Sequence, residues 1–379
     1  METMKKLIFV LIAIACIMPA QARCLKQVVD SLKKEYAPDG RTAVWQIDCE
    51  EHYQAWTLKG VVDNAKNKAV ILDEAKRLGI NVVDSIAVLE NSLEKPWAIV
   101  KLAIASLRTD GRHAAEMATQ AIMGMPVKVL EKKGDWYRVQ TPDNYISYCP
   151  GNSLQLTTEQ EMKAWRSAKR YIVTAYQSQM VAKPGSDETV SDLVLGNILE
   201  YKGKSGKWIK LATPDGREGY VAQSDVKEFA QWAQQKPDMK LVEKTARRMM
   251  GAGYLWGGTS TKVTDCSGLA KVSYFANAII LQRDASQQAL TGKKIAAENW
   301  HQARLGDLVF FGSKSGRVTH VGIYLRGGQY IHCSGRVKIN SVDPKASDYL
   351  TTPFLSISRI DGEVGTAGIV AVKDHEWYF

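Results

Sequence analysis

A chain of 379 residues, 45% hydrophobic and 24% charged, has the balance of a folded protein and is too long for one compact core, which excludes a disordered polymer and a single small domain. A formal charge of +10 favours anionic surroundings such as wall polymer or lipid headgroups. No basic patch interleaved with aromatic residues stands out, so nucleic acid is the weaker choice of partner.

The chain opens with a basic start (Lys5, Lys6), an apolar run over 7–18 and Ala-Gln-Ala at 20–22, which together read as a secretory signal over 1–22. That run is too short to span a bilayer permanently, and no later one approaches membrane length. Export to the periplasm or cell envelope is therefore expected. Lipidation at Cys16 is disfavoured by Ala13 three places before it. Cys24, Cys49, Cys149, Cys266 and Cys333 remain after the signal, an odd number that leaves at least one free thiol. Pairings among Cys24, Cys49 and Cys149 stay open.

Residues 23–95 read as a small α/β cap: helices over 25–35 and 64–79, the second with Leu72, Ala75 and Leu78 inward, and strands at "TAVWQID" and "YQAWTLKGVV". No chemistry is visible there. Two offset copies follow. "GMPVKVLEKKGDWYRVQTPD" begins at Gly124 and "GNILEYKGKSGKWIKLATPD" at Gly196, so Gly134 matches Gly206, Trp136 matches Trp208, and Thr141-Pro142-Asp143 matches Thr213-Pro214-Asp215. Each copy reads as strand, glycine turn, Trp-bearing strand, Pro-Asp turn and a last short strand. Short strands at this spacing predict two small β-barrels, over 96–160 and 168–230. They resemble bacterial SH3 modules, a likeness that implies wall targeting, although for the second copy simple packing is the plainer reading. Lys202, Lys204, Lys207 and Lys210 read as a solvated strand face.

Residues 238–363 hold the chemistry. "YLWGGTSTKVTDCSGLAKVSYF" places Cys266 after a loop of glycines and small polar residues and at the start of a helix with Leu269, Val272, Phe275 and Ala276 on its apolar side. A nucleophilic cysteine needs exposure, a lowered pKa and a base within reach. The loop predicts the first and the helix N-terminus part of the second, while Asp265 opposes it and also suits a helix cap. Six histidines are present: His52, His113, His301, His320, His332 and His375. "VTHVGIYLRGGQYIHCSG" reads as a β-hairpin carrying two of them. A two-residue turn would point His332 away from His320. A three-residue loop, Arg326-Gly327-Gly328, sets His332 opposite Gly322 on the face of His320, within imidazole reach. By strand alternation Cys333 points away as a buried small side chain. The last stretch, 364–379, reads as a C-terminal tail.

"YLWGG", "DCSGL", "GDLVFF", "THVGIYL" and "YIHCSG", in this order over about 240–363, resemble the NlpC/P60 cell-wall cysteine peptidases. The expected fold is α+β: a papain-like catalytic domain preceded by two SH3-like β-barrels and the N-terminal α/β cap. The resemblance implies Cys266 as nucleophile, His320 as general base and acid, and His332 as the residue that orients it. It further implies an oxyanion hole at the Cys266 N–H, assisted by Tyr254, and no metal or other cofactor. The two barrels resemble those of γ-D-glutamyl-L-diamino-acid endopeptidases, which cut murein peptides before Lys or diaminopimelate and require a free N-terminal L-Ala. An ammonium in a closed site needs carboxylates. The matching candidates are Asp284, Glu116 and Tyr145, with Ser267, Trp256, Tyr254 and Asp265 at the same site; Asp284 equally suits a helix cap. A monomer acting on a short peptide is expected. A general wall endopeptidase or amidase, and a non-catalytic wall-binding protein, are the competing readings.

Overall fold

The computed structural model describes residues 25–379 apart from 53, 54 and 91. The secretory signal over 1–22 with Cys16, and also Cys24, lie outside the described residues. Among the described residues no helix is long and apolar enough to cross a membrane. The chain divides into a unit ending at Asn91 and a larger one from Ser92 to Phe379.

The first unit is a three-stranded sheet of β1 (Trp45–Glu51), β2 (Trp56–Val62) and β3 (Val82–Val88). β1 and β2 pair antiparallel, and β3 joins parallel to β2 after the crossover helix Ala65–Arg77. That helix starts where the Asn64 side chain accepts the Asn67 N–H, a cap that satisfies one of the first turn's orphan donors. It buries Ile71 and Ala75, and the helix Leu25–Tyr36 buries Leu25, Val28 and Val29 in the same core. β3 is added to what alternation predicts, because its polar residues hide the strand pattern.

The larger unit begins with two SH3-like barrels. The first consists of β4 (Trp97–Val100), β5 (Ile104–Arg108), β6 (Met117–Ile122), β7 (Pro126–Lys133), β8 (Trp136–Gln140), β9 (Ile146–Pro150) and β10 (Leu154–Thr157). The second consists of β11 (Arg170–Val173), β12 (Gln177–Val181), β13 (Thr189–Val194), β14 (Ile198–Ser205), β15 (Trp208–Ala212), β16 (Glu218–Ala222) and β17 (Val226–Glu228). Their strand orders, β10-β4-β7-β8-β9-β5-β6 and β13-β12-β16-β15-β14-β11-β17, are the same topology written from opposite edges. The repeat extends to individual bonds. Thr141 Oγ1 donates to Asp143 Oδ1 at 2.6 Å, and Thr213 Oγ1 to Asp215 Oδ1 at 2.5 Å. Both hydroxyls also lie near the carbonyl four residues on, of Tyr145 and Arg217 respectively. Cys149 is an unpaired thiol buried in the first barrel's core, so it forms none of the disulfides left open by its sequence.

The third module lays the helix Cys266–Phe275 against an antiparallel sheet of order β19-β24-β20-β21-β22-β23, with β19 (Lys293–Ala296), β20 (Leu308–Gly312), β21 (Val318–Tyr324), β22 (Gln329–Ser334), β23 (Arg336–Ser341) and β24 (Phe354–Arg359). β18 (Ile279–Leu281) pairs instead with β25 (Ile369–Ala371), which belongs to the C-terminal stretch. That stretch is no loose tail. Trp377 and Tyr378 are buried in one apolar cluster with Trp97 of the first barrel, Ile172 of the second and Ile280 of the third module. Arg170 Nη2 donates to the Tyr378 carbonyl at 2.7 Å.

Candidate active site

Cys266 begins its helix because Asp265 caps it, Oδ1 accepting the Gly268 N–H at 2.7 Å. Gly268 is required by close approach: a Cβ there would stand 2.0 Å from the Gly258 carbonyl, so the glycine loop and the helix can pack only backbone to backbone. The thiol itself departs from the sequence expectation. Cys266 is buried, not exposed, and its pKa is pushed up to about 11, first by burial and then by the Asp265 carboxylate. The N–H groups of Val321 and Ser267 and the Arg283 charge pull the other way, and desolvation outweighs them. Cys333 is likewise buried and unpaired, its Sγ 3.4 Å from the Thr264 carbonyl.

The hairpin takes the three-residue loop. Tyr324 pairs with Tyr330 and Gly322 with His332, and Gly327 and Gly328 both have positive φ. His320 Nε2 and His332 Nδ1 are 2.7 Å apart, and the rings meet edge to face. Gly322 keeps this space open, since a Cβ would come within 2.5 Å of the Tyr330 ring and 3.2 Å of His332 Cβ. His332 is completely buried, and its Nε2 lies 2.9 Å from Asn340 Oδ1. Burial, then His332 and Lys338, hold the His320 pKa down at about 3; burial also lowers that of His332. The Val321 N–H directed at the Cys266 thiol puts the nucleophile beside the strand residue that follows His320. Thiol and imidazoles therefore rest in their neutral forms.

The carboxylates sort differently. Asp265 is buried and spends both oxygens internally, accepting from Gly257 N at 3.0 Å, from Gly268 N, and from Arg283 Nη2 at 2.5 Å. Ser267 is buried too, its hydroxyl shared between Asp265 and Arg283. Both side chains thus brace the helix start from within the site. Asp284 does both things its sequence allows. It forms a capping box with Gln287 at the short helix Ala285–Gln288, and its Oδ2 accepts from Tyr145 Oη of the first barrel at 3.1 Å. Glu116 is exposed, and its carboxylate takes part in no hydrogen bond or ion pair among the described residues; the adjoining Met117 carbonyl runs against Gly257. Trp256 stands 60% exposed on the same loop, and Tyr254 is half-buried near Cys266 and Cys333, its hydroxyl pKa raised by burial.

Three groups escaped sequence reasoning. Arg283, fully buried, donates to Asp265, to Ser267 Oγ and, through Nε, to Thr119 Oγ1 of the first barrel at 2.9 Å. Lys271 Nζ donates to Asp143 Oδ2 at 2.6 Å from the Cys266 helix into the same barrel. Asn340 sits beyond every quoted motif. Arg283 was visible as a cation in an apolar stretch; the other two become meaningful only with the pairing of modules and strands. Among the described residues no cluster of His, Cys, Asp and Glu could hold a metal ion.

A buried cysteine at a helix start, beside two histidines in contact on one sheet face, is the set of side chains that thiol-based hydrolysis needs. Residues 251–359 match the NlpC/P60 family and residues 107–154 the bacterial dipeptidyl-peptidase SH3 domain, so the chain carries an NlpC/P60 domain behind a dipeptidyl-peptidase-type SH3 domain. It is 28% identical over 282 residues to dipeptidyl-peptidase 6 of Lysinibacillus sphaericus, covering 69% of this chain and 98% of that protein. It is 29% identical over 222 residues to the γ-D-glutamyl-L-lysine dipeptidyl-peptidase of Bacillus subtilis, covering 56% of this chain and 71% of the relative. An NlpC/P60 family protein of Bacillus cereus shares the fold at a TM-score of 0.60 with 21% identity, over 69% of this chain and 99% of that one.

Proposed function

We propose that this protein is a cysteine peptidase that hydrolyses the γ-D-Glu–L-Lys or γ-D-Glu–diaminopimelate bond of murein peptides bearing a free N-terminal L-Ala, and that it does so in the cell envelope. The observation that carries the reading is the Tyr145–Asp284 hydrogen bond, which joins the first barrel to the module holding Cys266, His320 and His332. This contact supports a site walled on one side by the barrel, in which the Asp284 carboxylate would meet an ammonium terminus.

In this mechanism the Cys266 sulfur attacks the γ-carbonyl carbon of D-Glu while its proton passes to His320. Because thiol and imidazole both rest neutral, this transfer accompanies attack instead of preceding it. The tetrahedral intermediate expels the diamino acid, whose nitrogen takes the proton back from His320. Water, deprotonated by His320, then hydrolyses the thioester and frees the thiol. His332 holds the base throughout.

The test incubates the protein with L-Ala-γ-D-Glu-L-Lys, its N-acetylated form and intact sacculi, and identifies products by mass. Release of lysine from the free peptide is expected, with roughly tenfold to a hundredfold lower kcat/KM on the acetylated one, the loss of a charge-assisted hydrogen bond. Cys266→Ala abolishes turnover. Equal rates on free and acetylated peptides, or preference for sacculi, would overturn the substrate assignment in favour of a general wall endopeptidase.

A further inference from the structure

Asn340 lies on β23, and strand pairing explains its reach. His332 faces Lys338 and Tyr330 faces Asn340, so all four share one sheet face with Asn340 diagonal to His332. Asn340 is 8% exposed, and its amide is engaged at both ends. Nδ2 stands 2.6 Å from the Asp348 carbonyl and Oδ1 stands 2.9 Å from His332 Nε2. A carbonyl oxygen can only accept, so the amide nitrogen must face Asp348 and the amide oxygen must face His332. An oxygen at that place demands a hydrogen on His332 Nε2. Neutral His332 then keeps its lone pair on Nδ1, which can only accept from His320 Nε2–H at 2.7 Å. Nδ1 is the nitrogen left with a lone pair on His320.

We infer that Asn340 is a positioning residue that fixes the tautomers of both histidines, so that the Asp348 carbonyl, through three side chains, leaves His320 Nδ1 as the basic nitrogen. This rests on the role of His320 as base, but its first readout does not depend on catalysis. Imidazole 15N chemical shifts of the full-length protein should show both histidines neutral with hydrogen on Nε2. Asn340→Leu, close in volume and unable to hydrogen-bond, should move the His332 nitrogen shifts toward tautomer-averaged values.

On the murein tripeptide the same variant should lower kcat by roughly tenfold to a hundredfold with little change in KM, as expected when a partner that orients a functional histidine is lost. Asn340→Asp, which restores an acceptor and adds negative charge, should recover part of kcat and shift the acid limb of the pH–rate profile to higher pH, a shift that a purely structural residue would not cause. Hydrogen on Nδ1 of either histidine in the parent protein would overturn the inference, as would an Asn340→Leu variant with parental shifts and kcat. Inactivity of the parent on the tripeptide would count against the proposed function alone, since the nitrogen shifts would still decide the tautomers.

Discussion

Cys266 shows how one residue's chemistry is set by competing small effects. A helix N-terminus lowers a thiol pKa, and the N–H groups of Ser267 and Val321 do act on it, yet the buried setting and Asp265 leave it at about 11. The sign follows directly. Below that pH the thiolate fraction grows about tenfold per unit, so alkylation of Cys266 by iodoacetamide should climb steeply from pH 7 to pH 10. Cys149 and Cys333, pushed up to about 12 and without measurable exposure, should label more slowly throughout. Mass spectrometry of the labelled peptides measures this, and a rate already level at pH 7 would show a thiolate at rest. The grouping of Cys266 with His320 and His332 was legible in sequence because cysteine and histidine are rare types and the hairpin register sets both imidazoles on one face. The burial of the thiol was not, since the loop's glycines serve close packing against the helix as well as they would serve exposure.

At the scale of elements, the duplicated Thr-Pro-Asp turn is used twice for docking. In the first barrel Asp143 meets Lys271 and Tyr145 meets Asp284, both in the third module. In the second barrel the residue equivalent to Tyr145 is Arg217, and its Nη2 donates to the Lys101 carbonyl of the first barrel. The Asp143–Lys271 pair is buried, with side chains 7% and 14% exposed. Removing one partner strands the other charge in a dry interface, so Asp143→Ala should cost about 3–5 kcal/mol in chemical denaturation, against less than about 1 kcal/mol for an exposed pair such as Lys373–Asp374. A loss under about 1 kcal/mol for Asp143→Ala would mean that water reaches the pair. The repeat and the hairpin register could be read from spacing alone, because turn residues recur at set offsets. The docking could not, since it depends on which modules the fold brings together.

For the whole larger unit, the decisive cluster draws on every module at once. Trp377 meets Trp97 edge to face at 5.2 Å, and Phe229 stacks on Trp232 beside Tyr378. Trp377→Ala should cost about 3–5 kcal/mol, and because the cavity opens between modules it should broaden or split the thermal transition. A single sharp transition at the parental Tm would show that the modules hold together without it. Composition indicated several domains but gave no hint that a short C-terminal stretch would seal them, for its pattern is too brief to carry a periodicity.

The bond from Arg170 to the Tyr378 carbonyl spans 208 positions of chain. Residues that far apart close one interface together with Trp377 and Tyr378. A protease cutting just before Trp377 would remove the bond and the aromatic cluster at one stroke, while leaving each barrel's own strand pairing in place. The grip between modules, and not the fold of any one of them, is what such a cut would release.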